Sequence, residues 1–283
     1  MFRHLKSLLA PLAFALIAGA AGTAAAQPAP LRTGVDPNFP PHAFPKLSGG
    51  YQGFNVELGE EIAKRLGRRI EIEGAQYSAL IPALNAGKFD FLMAPTTVSP
   101  ERAKSVLFTE GYLENNFTLV VKKERNDIQR LEDLKGKTIA VNKGSGPEEW
   151  ARNNQAQYGY EIAVYGTNAD AVQAVISGRG DANLAGVTPS AWAVKSTPAI
   201  KTTFVIKTGS VWAIPFRIDD KAGRDQVSNV LKCMKLDGSL QKLHTKWFGA
   251  EPAADSATVV SPAGHGIPGL FGYEATSAKP VCK

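Results

Sequence analysis

Residues 53–75 read GFNVELGEEIAKRLGRRIEIEGA, and their pattern decides the fold class. Phe54, Leu58, Ile62 and Leu66 recur every four residues, an apolar stripe along a helix that Gly67 stops. RIEIEGA then reads as a strand. The same alternation extends outward in both directions. Strand-like runs are LRTGVD (31–36), FDFLMA (89–94), FTLVVKK (117–123), TIAVNKG (138–144), EIAVYG (161–166) and SVWAIPF (210–216). Helical patterns are expected over 78–86, 100–105, 147–158, 168–178 and 222–236. Strands alternating with helices of this length imply βαβ units and largely parallel sheets, hence an α/β fold. One set of units precedes GYLENN (111–116) and another follows it, so two α/β lobes of about 90–130 residues each are expected.

Both ends of the chain fall outside this pattern. Arg3, His4 and Lys6 precede the apolar stretch SLLAPLAFALIAGAAG (7–22), and AAA at 24–26 offers a small-residue cleavage site. Residues 1–26 are therefore expected to be a secretory signal peptide, too short and wrongly flanked for a membrane span. No cysteine lies near the cleavage site, so the lipoprotein route is closed and a periplasmic location is expected. After Gly249 the sequence turns rich in Pro, Ala, Ser and Gly, and residues 251–283 read as a C-terminal tail.

The 283-residue chain carries a formal charge of +6, which falls to +4 once Arg3 and Lys6 are removed. Its basic residues are scattered, without runs or aromatic interleaving, which argues against a nucleic-acid surface. Four isolated histidines and two cysteines match no metal-site spacing, so neither a metal nor another cofactor is expected. In an exported chain, Cys233 and Cys282 are expected to form one disulfide that pins the tail. The alternative is a buried Cys233 packed as a small apolar residue and a free Cys282.

Three segments in order carry a resemblance: GFNVELGEEIAKRLG (53–67), LIPALNAGKFDFLMA (80–94) and SPERAKSVLFTEGY (99–112). With VNKGSGPEE (141–149), GRGDA (178–182) and DGSLQKLHTKWFG (237–249), the chain from 31 to 250 resembles bacterial periplasmic solute-binding proteins, family 3. These are the polar amino-acid binding components of ABC importers. The resemblance implies a two-lobed periplasmic binding protein fold with two hinge crossovers near 112–116 and 210–214. Lobe 1 would comprise 31–113 and 212–250, and lobe 2 residues 114–211. It further implies a non-enzymatic monomer that captures a small carboxylate-bearing solute, an amino acid or derivative, and presents it to an inner-membrane permease. Two alternatives stand beside that function. One is an enzyme on the same scaffold, similar to cyclohexadienyl dehydratases; the other is a sensory binding protein that docks on a chemoreceptor.

The resemblance also nominates site residues. Arg102, after the Ser99-Pro100-Glu101 helix start, matches the arginine that grips the ligand carboxylate, and a guanidinium fork suits that task. Thr97 matches a hydroxyl donor, and Ala94 the carbonyl that faces the ligand ammonium. Ser145 and Gly146 match the lobe-2 loop that offers backbone N–H groups. Phe39 and Tyr77 match the aromatic walls. The pattern breaks where the family places an aspartate for the ammonium, at Gly186 counted from Asp181 or at Val187 aligned from Pro189, and Pro95 replaces a small residue. No Asp or Glu occurs between Asp181 and Asp219. Three alternatives stay open: a ligand without an α-amino group, one with a modified amino group, or an acid elsewhere, such as Asp36, Glu110 or Glu148.

Overall fold

The computed structural model describes residues 28–276 and 278–282, so the expected signal peptide lies outside the described residues. The chain opens with β1 (Leu31–Val35), a hairpin of β2 (Phe44–Pro45) and β3 (Tyr51–Gln52), α1 (Phe54–Arg65) and β4 (Ile70–Gly74). Then come α2 (Tyr77–Asn85), β5 (Phe91–Leu92), β6 (Thr96–Thr97), β7 (Val106–Phe108) and β8 (Leu113–Glu114). The stripe of α1 behaves as its spacing requires: Phe54, Leu58 and Ile62 are buried, and Gly67 takes a left-handed φ of 64° just past the end. The helix expected over 100–105 is a single 3-10 turn at Arg102–Lys104 instead. The Ser99 hydroxyl accepts the Arg102 N–H at 3.3 Å, which satisfies the turn before a second one forms.

A second set of elements follows: β9 (Phe117–Lys122), β10 (Thr138–Asn142), α3 (Gly146–Tyr158), β11 (Glu161–Tyr165) and α4 (Asn168–Ile176). β12 (Ala182–Gly186), α5 (Val187–Ser196) and β13 (Ile200–Ile206) complete it. The chain then returns through β14 (Val211–Ala213), β15 (Pro215–Arg217), α6 (Lys221–Leu236) and α7 (Ser239–Phe248). Two five-stranded sheets result, in the orders β4-β1-β5-β15-β7 and β11-β10-β12-β9-β13. Each is mixed rather than largely parallel. β1 is parallel to both its neighbours and β10 to both of its own, whereas β15 and β9 run antiparallel. The reversal comes from the two crossovers, which send the chain into the neighbouring lobe and back instead of around a helix.

The crossovers pair with each other. β14 lies between β6 and β8 in a short antiparallel sheet, and beyond it Asn115 N–H donates to Ser210 O at 3.0 Å. Two separate apolar cores flank this joint, one around Phe54, Leu58 and Phe216, the other around Leu119, Val141 and Leu184.

The tail folds back onto the first lobe, and the joint is part of what it covers. Lys235 Nζ donates to Gly111 O at 2.6 Å and to Val260 O at 3.1 Å, and Lys232 Nζ donates to Pro262 O at 2.5 Å. Arg224 Nη1 donates to Gly272 O at 2.9 Å, and Thr258 Oγ1 donates to Tyr112 O at 3.0 Å. Burial pushes the Lys235 ammonium down to about 8, against the pull of Glu110. Three cations on one face of α6 are thus buried and matched largely by carbonyls. A Cys233–Cys282 bridge closes the arrangement, so the alternative of two free thiols does not hold.

Candidate functional site

Several parallel strands end at the cleft between the lobes, where ligands bind in open α/β sheets. Asp36 follows the C-terminal end of β1, Asn142 ends β10, and Gly186 ends β12. Together with Phe39, Tyr77, Thr97, Ser145, Gly146 and Trp212 they line one cavity. It is small, about 30 Å3, room for about two water molecules. The lobes therefore have to part before a solute can enter.

Direct contacts hold the lobes together across this cavity. A Cβ added at Gly146 would lie 2.1 Å from Thr97 Oγ1, so only glycine allows this approach. One added at Gly186 would lie 2.9 Å from the Trp212 ring. The indole thus covers Gly186, one of the two positions at which the resemblance implies an aspartate. His42 Nε2 meets Thr188 Oγ1 at 2.7 Å, and Phe44 packs against Trp192 with centroids 5.6 Å apart.

The His42 ring is oriented by a chain of bonds. Asn55 Nδ2 donates to the Tyr112 hydroxyl at 2.8 Å, which turns Asn55 Oδ1 toward His42 Nδ1 at 2.9 Å. That assigns the proton to Nδ1 and leaves Nε2 to accept from the Thr188 hydroxyl. Burial holds the imidazole neutral, down to about 3, outweighing the Asn55 bond. A lowered histidine pKa contributes stability that is present above the ordinary value of 6.5 and lost as pH falls toward the folded one. The melting temperature should drop on acidification below 6.5, and His42→Gln should flatten that part of the profile. An identical slope in the variant would show that His42 carries none of it.

At the start of α3 most donors are spent. Ser145 N–H donates to Asn142 O, Glu148 N–H to Ser145 Oγ and Glu149 N–H to Ser145 O, while Pro147 has no donor. Gly146 N–H has no partner among the described residues, and it stands at the positive end of a 13-residue helix. Beside it, Thr97 Oγ1 accepts from Asn115 Nδ2 at 3.0 Å and keeps its own proton to donate.

Acceptors occupy the remainder of the lining. Asp36 is 2% exposed; its Oδ1 accepts from Asn38 N–H at 3.0 Å, and its Oδ2 has no partner among the described residues. Burial raises the pKa of this carboxyl, opposed by hydrogen bonding from the backbones of Asn38 and Tyr77 and from the Asn38 side chain. The Tyr77 hydroxyl and Asn142 Oδ1 are likewise buried and unpartnered.

Two residues nominated from the sequence stay outside the lining. The side chain of Arg102 is 11% exposed; Nη1 donates to Thr97 O at 2.9 Å and Nη2 to Gly144 O at 3.0 Å, with Glu149 at 3.5 Å. Its fork bridges carbonyls of the two lobes at the edge of the cleft. The carbonyl of Ala94 accepts from Thr96 Oγ1 at 2.9 Å, a bond within its own turn. Of the three acids left open by the sequence, Glu110 is buried 3.5 Å from Lys232, and Glu148 binds Gly144 N–H and Arg152. Neither lines the cavity. Asp36 does.

Sequence reasoning passed over Asn142 and Trp212. The polar residue ending an apolar strand just before KGSG was the available signal for Asn142. Trp212 sits inside a run that reads only as core.

The profile described as bacterial extracellular solute-binding proteins, family 3, matches residues 31–250. The chain is 34% identical over 224 residues to the arginine-binding extracellular protein ArtP of Bacillus subtilis (strain 168), covering 77% of this chain and 86% of that protein. An ancestral arginine-binding protein solved with arginine superposes with a TM-score of 0.75 at 33% identity, covering 79% of this chain and all of the other. The ancestral amino acid-binding protein AncCDT-1, a precursor of cyclohexadienyl dehydratase, superposes with a TM-score of 0.71 at 34% identity, covering 77% and 95%.

Proposed function

The chain belongs to the bacterial extracellular solute-binding proteins, family 3, and from that premise we propose that it captures an α-amino acid in the interlobe cavity for an inner-membrane ABC permease. The unpartnered Asp36 Oδ2 carries this reading, because a buried carboxylate with no cation is costly until a ligand supplies one. The ligand carboxylate would lie at the other end, on Gly146 N–H and the Thr97 hydroxyl, where the α3 dipole favours negative charge. Phe39, Tyr77 and Trp212 would enclose the carbon skeleton. Each charged group then finds its complement on a different element, and contacts to both lobes favour the closed form. Arg102 would act from the rim, as a clamp between the lobes.

Relatives named for binding arginine or amino acids support a solute of this class. Export to the periplasm, through a signal peptide over 1–26, is part of the same proposal. A thermal-shift screen of L-arginine, L-glutamine, L-histidine and L-cystine tests it, since a ligand selective for the folded form raises the melting temperature. At least one should raise it with saturating dose dependence; no shift with any would refute the reading.

The enzyme alternative draws on the same carboxyl, because a buried acid with a raised pKa has the character of a general acid. Incubation with a cyclohexadienyl acid separates the two. Unchanged acid is expected here, whereas an aromatic product would make the protein a dehydratase.

A further inference from the structure

Three acceptors without partners face one small cavity: Asp36 Oδ2 and the Tyr77 hydroxyl from the first lobe, and Asn142 Oδ1 from the second. Asp36, Tyr77 and Asn142 are 2%, 7% and 6% exposed, so bulk solvent does not reach them. A buried acceptor left unmatched is costly, and three around one cavity call for a ligand that brings several donors to one point. A primary ammonium brings three N–H donors and no acceptor. A quaternary ammonium brings none.

Position strengthens the assignment of Asn142. Its carbonyl receives the Ser145 N–H at 3.2 Å, so its side chain stands one turn from the Gly146 N–H proposed for the carboxylate. In an α-amino acid the ammonium is attached to the carbon beside the carboxylate, which puts it within reach of the same turn. Gly186 cannot serve, because the Trp212 ring fills the space a side chain there would need.

We infer that Asn142 is the second-lobe specificity residue, receiving one N–H of the ligand's primary α-ammonium and completing a three-acceptor seat with Asp36 and Tyr77. The inference rests on the amino-acid reading above and goes further, since it excludes quaternary ligands and makes each N-methylation cost a hydrogen bond. It also gives closure a polar reward: the third acceptor arrives only when the lobes meet.

Titration calorimetry with the tightest binder among L-arginine, L-glutamine, L-histidine and L-cystine, and with its Nα-trimethyl derivative, tests this. Wild type should bind the parent about 100-fold or more tightly than the derivative, the loss expected when hydrogen bonds to a charged group disappear. Asn142→Leu should weaken the parent about 10- to 100-fold and leave the derivative unchanged, narrowing the gap. A merely structural role would weaken both equally. Asn142→Asp keeps the acceptor and should retain the preference; it also carries the test if the leucine variant fails to fold, because loss of the preference there would overturn the inference. Wild-type affinity in Asn142→Leu, or equal binding of parent and derivative, overturns it while leaving the amino-acid reading intact. A wild type that binds none of the four refutes the amino-acid reading and the inference with it.

Discussion

Asp36→Asn is expected to weaken amino-acid binding by about 2–5 kcal/mol, roughly 30- to 4000-fold, while making the ligand-free protein more stable. The two effects share one cause. In the free protein the carboxylate is buried and its Oδ2 has no partner among the described residues, so ionisation is penalised and its pKa is raised. A carboxyl whose folded pKa lies above the unfolded value favours folding most at low pH, and that contribution is lost as pH rises through the folded value. At neutral pH the free protein thus bears the penalty, and the neutral amide removes it. With ligand bound the sign reverses, because the amide leaves a buried ammonium without its anion. Calorimetric titration and thermal melts of both proteins check this at pH 7. Unchanged affinity would remove Asp36 from the site, and a less stable free variant would contradict the electrostatic argument.

The second large effect concerns the tail. Cys282→Ser should lower stability by up to about 4 kcal/mol, the chain-entropy value for a loop of about 50 residues; the cysteines are 49 positions apart. The melting temperature should fall on the order of 10 °C. Arg224, Lys232 and Lys235 amplify the loss, since they are buried under carbonyls of the tail that the bridge holds in place. Melts of the wild type and the variant, each in oxidising buffer, measure it. Coincident curves would show that the bridge contributes nothing to stability. Hydrogen exchange should quicken first at Val281, whose N–H donates to Asn229 Oδ1 at 2.9 Å beside the bridge.

The sequence announced the α/β architecture through local patterns, and those patterns are physical. The four-residue stripe of α1 and the strand runs that became β1, β4, β9, β10 and β11 need no distant partner to be read. What stayed hidden depends on contacts between remote segments. β13 (IKTTFVI) opens with a Lys-Thr-Thr run and lacks strand alternation, and it is made a strand by pairing with β9. α5 carries Pro189 in its first turn, and α7 contains His244 and Thr245, so neither stands out by composition. At the site, Phe39, Tyr77, Ser145 and Gly146 were nominated from motifs, and all line the cavity. The destination of the Arg102 fork was not, because it is fixed by a carbonyl 42 residues away. The glycine at 186 looked like a lost acid, and only the approach of Trp212 from the return crossover shows that the space has been filled.

A crystal structure of the protein with the tightest amino acid from the screen tests the central claim most directly. The account predicts the ligand between the lobes, its ammonium within hydrogen-bond distance of Asp36 Oδ2 and its carboxylate on Gly146 N–H. A ligand bound outside this cleft, or one with its carboxylate turned toward Asp36, would contradict it.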